Sequence, residues 1–197
     1  MSDEVSRFAT VSLAELPDDL RERIEGIAEK SGFVPNVFLG LAHRPNELRA
    51  FADYHDVLMD SDDGLSKAER ELIVVATSGA NHCTYCIVAH GAILRVRTKD
   101  EQLADRVAAN PWQAELSDRQ RAIVDLALAL ARDSERFGDA DIEKARAGGL
   151  TDDEIWDVGA ITALFAMSNR LAHLMALRPN DEFYLMGRVP RTRAAAP

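Results

Sequence analysis

Apolar residues recur every three to four positions along most of this chain, and the breaks fall on proline, glycine and capping residues. Leu20, Ile24 and Ile27 keep that spacing after Pro17 and run to Ser31 and Gly32. This predicts a helix with Pro17 in its first turn and residues 12–16 as lead-in. A short helix is expected in residues 33–43, opened by Pro35 and ended by Pro45, because proline disfavours helical geometry at the residue before it. Pro45 can itself open the next helix, with Leu48, Phe51, Tyr54 and Leu58 on one face. That run stops in the turn cluster at residues 61–64.

Three later runs carry the same start signal. Ser66 with Glu69, Ser117 with Gln120 and Thr151 with Glu154 each form a capping box. In such a box the hydroxyl and the longer side chain satisfy free N–H groups at a helix start. The best strand candidate, residues 73–75, lies inside one of these capped runs. The expected class is therefore all-α, a helical bundle in a single domain covering the 197 residues. Residues 65–80 and 116–131 align without gaps, sharing Leu, Ser, Arg and two Ala, which hints at an internal helical repeat. Glu71 of the first copy aligns with Ala122 of the second, and no cysteine pair follows the second. Residues 153–177 are apolar on most faces, which predicts burial between helices or against a second subunit. The basic tail, residues 187–197, is expected to be loosely ordered or docked on a neighbour.

Composition narrows the classes of function. A net charge of −10 argues against a nucleic-acid footprint and against anionic membrane surfaces. The near-apolar run 158–167 is too short to span a bilayer. The opening MSDEVSRF lacks a basic-then-apolar leader pattern, so a cytoplasmic location is expected. In a reducing cytosol, a cysteine pair points to catalysis or metal binding before a static disulfide.

Both cysteines lie in NHCTYCIVAHGA, residues 81–92, as Cys83 and Cys86, with His90 four residues on. Random placement of two cysteines gives this spacing in roughly 1% of cases, so chance is a poor account. Gly79 is expected to end the preceding helix and Asn81 to cap the next. Both thiols then fall in the first turn and a half, where free N–H groups and the helix dipole favour a thiolate. His90, one turn beyond Cys86, is a candidate base, and Glu71 on the preceding helix is a candidate orienter. The alternatives are a structural cysteine pair and a zinc site completed by His82 or Glu71. His43, His55 and His173 have no sequence partners and read as surface or core residues. The polar groups of residues 168–173 read first as satisfied interface polars and second as part of a pocket.

A glutamate, a CxxC and a histidine four residues after the second cysteine resemble the alkylhydroperoxidase D core of the carboxymuconolactone decarboxylase-like superfamily. Glu71, Cys83, Cys86 and His90 match that spacing at all four positions. Residues 32–38, 44–51 and 169–173 extend the likeness to the peroxidase-related branch. One departure is Tyr85, where alkylhydroperoxidase D carries a histidine; a tyrosine does not relay protons near neutral pH as histidine does. The resemblance implies an all-helical homo-oligomer that reduces hydroperoxides through a dithiol/disulfide cycle, with no metal or organic cofactor. Cys86 would attack, Cys83 would resolve, Glu71 and His90 would move protons, and an outside dithiol would restore the thiols. Two other classes stand beside it: lactone chemistry of the decarboxylase type, and a non-enzymatic redox or metal-binding module.

Overall fold

In the computed structural model, which describes residues 5–189, every regular element is helical. The helices are α1 (Asp18–Ser31), α2 (Asn36–Leu41), α3 (Pro45–Met59), α4 (Lys67–Ala80) and α5 (Thr84–Thr98). They continue as α6 (Leu103–Ala109), α7 (Asp118–Asp133), α8 (Asp139–Ala147), α9 (Asp152–Met175) and α10 (Asp181–Leu185). The lead-in before α1 holds a 3₁₀ turn, Leu13–Glu15, capped reciprocally by Ser12 and Glu15. Among the described residues no helix is long and apolar enough to cross a membrane. Of the tail, residues 190–197 lie outside the described residues; the described start is tied back by an Arg188–Asp105 ion pair.

All three predicted capping boxes form, and they meet at one end of the bundle. Arg119, in the first turn of α7, donates to Glu69 of the α4 box at 2.7 Å and to Glu154 of the α9 box at 2.6 Å. The N-termini of α4, α7 and α9 are thereby joined, and the three helices pack against one another. α4 is the central element. Ile73 and Val74 face one apolar cluster, while Leu72, Val75 and Ala76 face a second, shared with α6 and α7. Burial on every side explains why this stretch reads as a continuous apolar run in a helix. Just before it, buried Arg70 donates to the carbonyls of Leu58, Asp63 and Leu65 and pairs with Asp157 at 2.9 Å, fixing the α3–α4 turn. The two aligned segments, α4 and α7, lie side by side.

One expectation needs correction: Tyr54 does not join the buried face of α3, which Leu48, Ala52, Leu58 and Met59 form instead. α9 packs along one face within the chain, and its other face leaves Trp156 76%, Met167 45% and Leu174 56% exposed.

Candidate active site

The site is built at the reversal between α4 and α5. α4 continues through Gly79 to Ala80, so Gly79 does not end the helix. A Cβ at Gly79 would come within 3.2 Å of the Ala108 backbone; the close approach of α6 is what calls for glycine here. The reversal is a Schellman turn, in which Cys83 N–H donates to Ser78 O at 2.9 Å and His82 N–H to Gly79 O at 3.1 Å. His82 takes the left-handed position at φ 54, where glycine is usual. Asn81 is accordingly the C-cap of α4 and not the N-cap of α5. The N-cap of α5 is Cys83 itself, with Cys86 in the first turn.

Glu71 and His90 come together as expected. His90 Nδ1 lies 2.8 Å from Glu71 Oε2, and the carboxylate is buried. That contact fixes the ring through Nδ1, and among the described residues Nε2 has no hydrogen-bond partner, which is the arrangement a proton carrier needs. Phe165 of α9 stands edge-on over the imidazole at 4.7 Å between centroids, and His55 of α3 lies 6.3 Å away. His55, read from sequence as unpartnered, also contacts Asp56 at 3.1 Å.

Both sulfurs are enclosed, Cys83 at 0% and Cys86 at 2% exposure. They are free thiols acting on one another. Hydrogen bonding from the Cys86 thiol, against the opposing effect of burial, brings the Cys83 thiol down to about 6; the Cys86 amide, His173 and Asn169 add to this. Cys86 moves the other way, raised by the Cys83 sulfur and by burial. The two thiols are thus shifted in opposite directions, Cys83 toward the thiolate and Cys86 toward the protonated thiol. The resemblance implies attack by Cys86, the thiol nearer His90 in sequence. Tyr85 is buried, and its hydroxyl accepts from Val37 N–H at 3.0 Å, so it anchors α5 to α2; burial raises its pKa. Among the described residues no group of three His, Cys, Asp or Glu side chains is placed to hold a metal ion. The ligand set required by a zinc site is not formed there.

α9 supplies a wall that sequence reading ranked second. Ser168 Oγ lies 4.0 Å from Cys86 Sγ. Asn169, fully buried, accepts from Asn81 Nδ2 at 3.0 Å and donates to Ser78 Oγ at 3.1 Å. His173 Nε2 lies 3.3 Å from His82 O. The signal was the polar group Ser168, Asn169, Arg170 and His173 on a largely apolar helix, with Asn169 and His173 one turn apart.

Residues 45–111, which span α3 to α6 and hold all four motif residues, match the carboxymuconolactone decarboxylase family. Among solved structures, the alkylhydroperoxidase AhpD core of an uncharacterized peroxidase-related protein from Ralstonia eutropha JMP134 is 55% identical. It aligns over 96% of this chain and 100% of its own, with a TM-score of 0.93. The chain belongs to the alkylhydroperoxidase D-like family. A peroxidase-related protein from Silicibacter sp. TM1040 is 38% identical over 94% of this chain and 97% of its own, with a TM-score of 0.88. The debrominase Bmp8 shares the fold at 16% identity and a TM-score of 0.76, covering 94% of this chain and 97% of its own. No curated protein matches the chain.

Proposed function

We propose that this chain is a thiol-dependent peroxidase that reduces hydroperoxides through Cys83 and Cys86. The observation that carries the reading is the 2.8 Å contact between buried Glu71 of α4 and His90 of α5, the helix that begins with the two thiols. In the proposed cycle the shared proton moves from Cys86 to the Cys83 thiolate, which frees Cys86 as nucleophile one helical turn from His90. Cys86 attacks the peroxide O–O bond and becomes a sulfenic acid, while His90, held by Glu71, protonates the departing alkoxide to an alcohol. Cys83 then displaces water from the sulfenic acid, and the Cys83–Cys86 disulfide forms. The balance is one hydroperoxide and two thiols in, one alcohol, one water and one disulfide out. An outside dithiol donor returns the pair to the reduced state, in a reducing, cytoplasmic setting.

The test is a thiol count on reduced protein mixed with tert-butyl or cumene hydroperoxide. Wild type should form an intramolecular disulfide quickly, Cys83→Ser should stop at a sulfenic acid that dimedone traps, and Cys86→Ser should be inert. Thiols that react no faster than free cysteine would overturn the assignment. Lactone chemistry of the decarboxylase type is the second reading, supported by the family match over residues 45–111. It needs no cysteine pair, so activity surviving the double Cys→Ser change would select it. We assign a homo-oligomeric state on the outward face of α9, where Trp156, Met167 and Leu174 would be covered by another copy.

A further inference from the structure

We propose that His55 of α3 is the proton port of the site, passing protons between bulk water and the largely enclosed His90. Glu71 takes His90 Nδ1 at 2.8 Å and Phe165 stands edge-on over the ring, so only 13% of the side chain stays exposed. Among the described residues the one imidazole in ring contact with His90 is His55, at 6.3 Å between centroids. The His55 side chain is 31% exposed and so stands a step nearer the solvent. A ring nitrogen lies roughly 1.2 Å from its centroid, so nitrogens turned toward each other across that gap would be about 4–5 Å apart, which one bridging water spans. Tyr85 is no alternative carrier: its hydroxyl accepts from Val37 N–H, and burial raises its pKa.

The surroundings hold His55 in this place. Its Nδ1 lies 3.1 Å from Asp56 Oδ1, and Asp56 is paired in turn with Arg23 of α1. The hydrogen bond from His55 and the Arg23 guanidinium keep Asp56 below the usual carboxylate range, so it remains an acceptor for the Nδ1 proton. Phe51, one turn earlier on α3, and Phe165 of α9 flank the ring at 6.3 and 6.1 Å. Phe165 therefore touches both imidazoles and fixes their separation. Among the described residues neither Nε2 has a hydrogen-bond partner. Two helices thus present the same device side by side, an imidazole with Nδ1 set on a carboxylate and Nε2 unclaimed. In the proposed cycle, protonation of the alkoxide leaves His90 one proton short. A proton from bulk water lodges on His55 Nε2, with Nδ1–H kept on Asp56, and passes through one water to His90 Nε2. No electron moves in this step. His55 acts only through His90 and is a positioning residue for the proton; it touches no reacting atom.

This assignment rests on the peroxidase reading for its physiological meaning, and a readout without peroxide lets the two fail separately. The first measurement is exchange of the His90 ring protons with water, followed by NMR on reduced protein carrying isotope-labelled histidine, for wild type and His55→Gln. Exchange should slow by about tenfold in the variant and recover when free imidazole is added. The second is turnover of cumene hydroperoxide with dithiothreitol as donor. There kcat should fall by about tenfold at an unchanged KM, and imidazole should again restore it. A His55→Gln protein whose His90 exchanges at the wild-type rate overturns the assignment. So does a loss of turnover that shows as a raised KM or that imidazole leaves in place, because His55 would then only line the pocket. If the variant does not fold, wild type decides alone: indifference of its exchange to imidazole supports the port, and acceleration by imidazole overturns it. A wild type that exchanges as expected but turns over no peroxide refutes the peroxidase reading and leaves the port standing.

Discussion

Glu71→Gln separates what the thiols contribute from what the imidazole contributes. At pH 7 a pair whose first proton leaves at about 6 is roughly nine-tenths thiolate, against about one hundredth for an ordinary thiol at 9.0. That is a gain of at most about 90-fold in the reactive form, because only the fraction of the pair whose proton has passed from Cys86 to Cys83 carries the Cys86 nucleophile. A less basic thiolate is also a poorer nucleophile, and a Brønsted slope of about 0.4–0.5 over about three units takes back roughly 15- to 30-fold. The net advantage over free cysteine is then only about three- to sixfold, so acidity alone does not make a peroxidase. Any larger acceleration has to come from proton delivery to the leaving oxygen, for which general acid catalysis supplies about 10²–10⁴. Glu71 is the one carboxylate in contact with His90 among the described residues, and the substitution to Gln keeps its shape while deleting its charge. Stopped-flow oxidation of the reduced variant by cumene hydroperoxide should slow by about 10²-fold or more. Its thiolate titration should stay near that of wild type. A Glu71→Gln protein that reacts at the wild-type rate, or a wild type already at the few-fold baseline, refutes the reasoning.

Further expectations rest on other parts of the structure. The first thiol proton of the pair is lost more easily in the folded chain than in the unfolded one. Its stabilising contribution is therefore complete above the ordinary value of 9.0 and disappears as pH falls through about 6. Urea unfolding of the reduced protein should show wild type gaining on Cys83→Ser between pH 5 and pH 8, and peroxide reactivity should fall in step below pH 6. Replacing His82 by Gly relieves a left-handed non-glycine residue at φ 54 and should raise stability by about 0.5–1 kcal/mol in thermal unfolding. Arg70→Met removes four donor contacts from three carbonyls and Asp157 and should cost about 3–5 kcal/mol in urea titration. A loss below about 1 kcal/mol would mean the α3–α4 turn is held by something else.

The features legible in the sequence were those whose cause is local. A capping box is a contact between residues three apart, and all three formed as read. The CxxC on a helix start is local as well, although the cap proved to be Cys83 and not Asn81. That error has a definite source: Gly79 looked like a helix end, yet its missing side chain serves the approach of α6, a packing fact that no window around residue 79 contains. The left-handed position fell instead on His82, a residue that gives no turn signal in sequence.

The α9 wall was harder to read for a related reason. Ser168, Asn169 and His173 lie some eighty to ninety residues from the thiols, on a helix whose apolar bulk put satisfied interface polars ahead of a pocket role. α9 runs antiparallel to α5, so successive turns of one meet successive turns of the other: Phe165 over His90, Ser168 beside Cys86, Asn169 at Ser78 and Asn81 of the reversal, and His173 at His82. The polar interruptions of the apolar helix therefore mark positions where it faces the reversal and the sulfurs. An enclosed thiolate needs a donor from every side that water has left, and the α5 start provides donors on one side only. The opposite side has to come from the helix packed across it, and α9 is that helix.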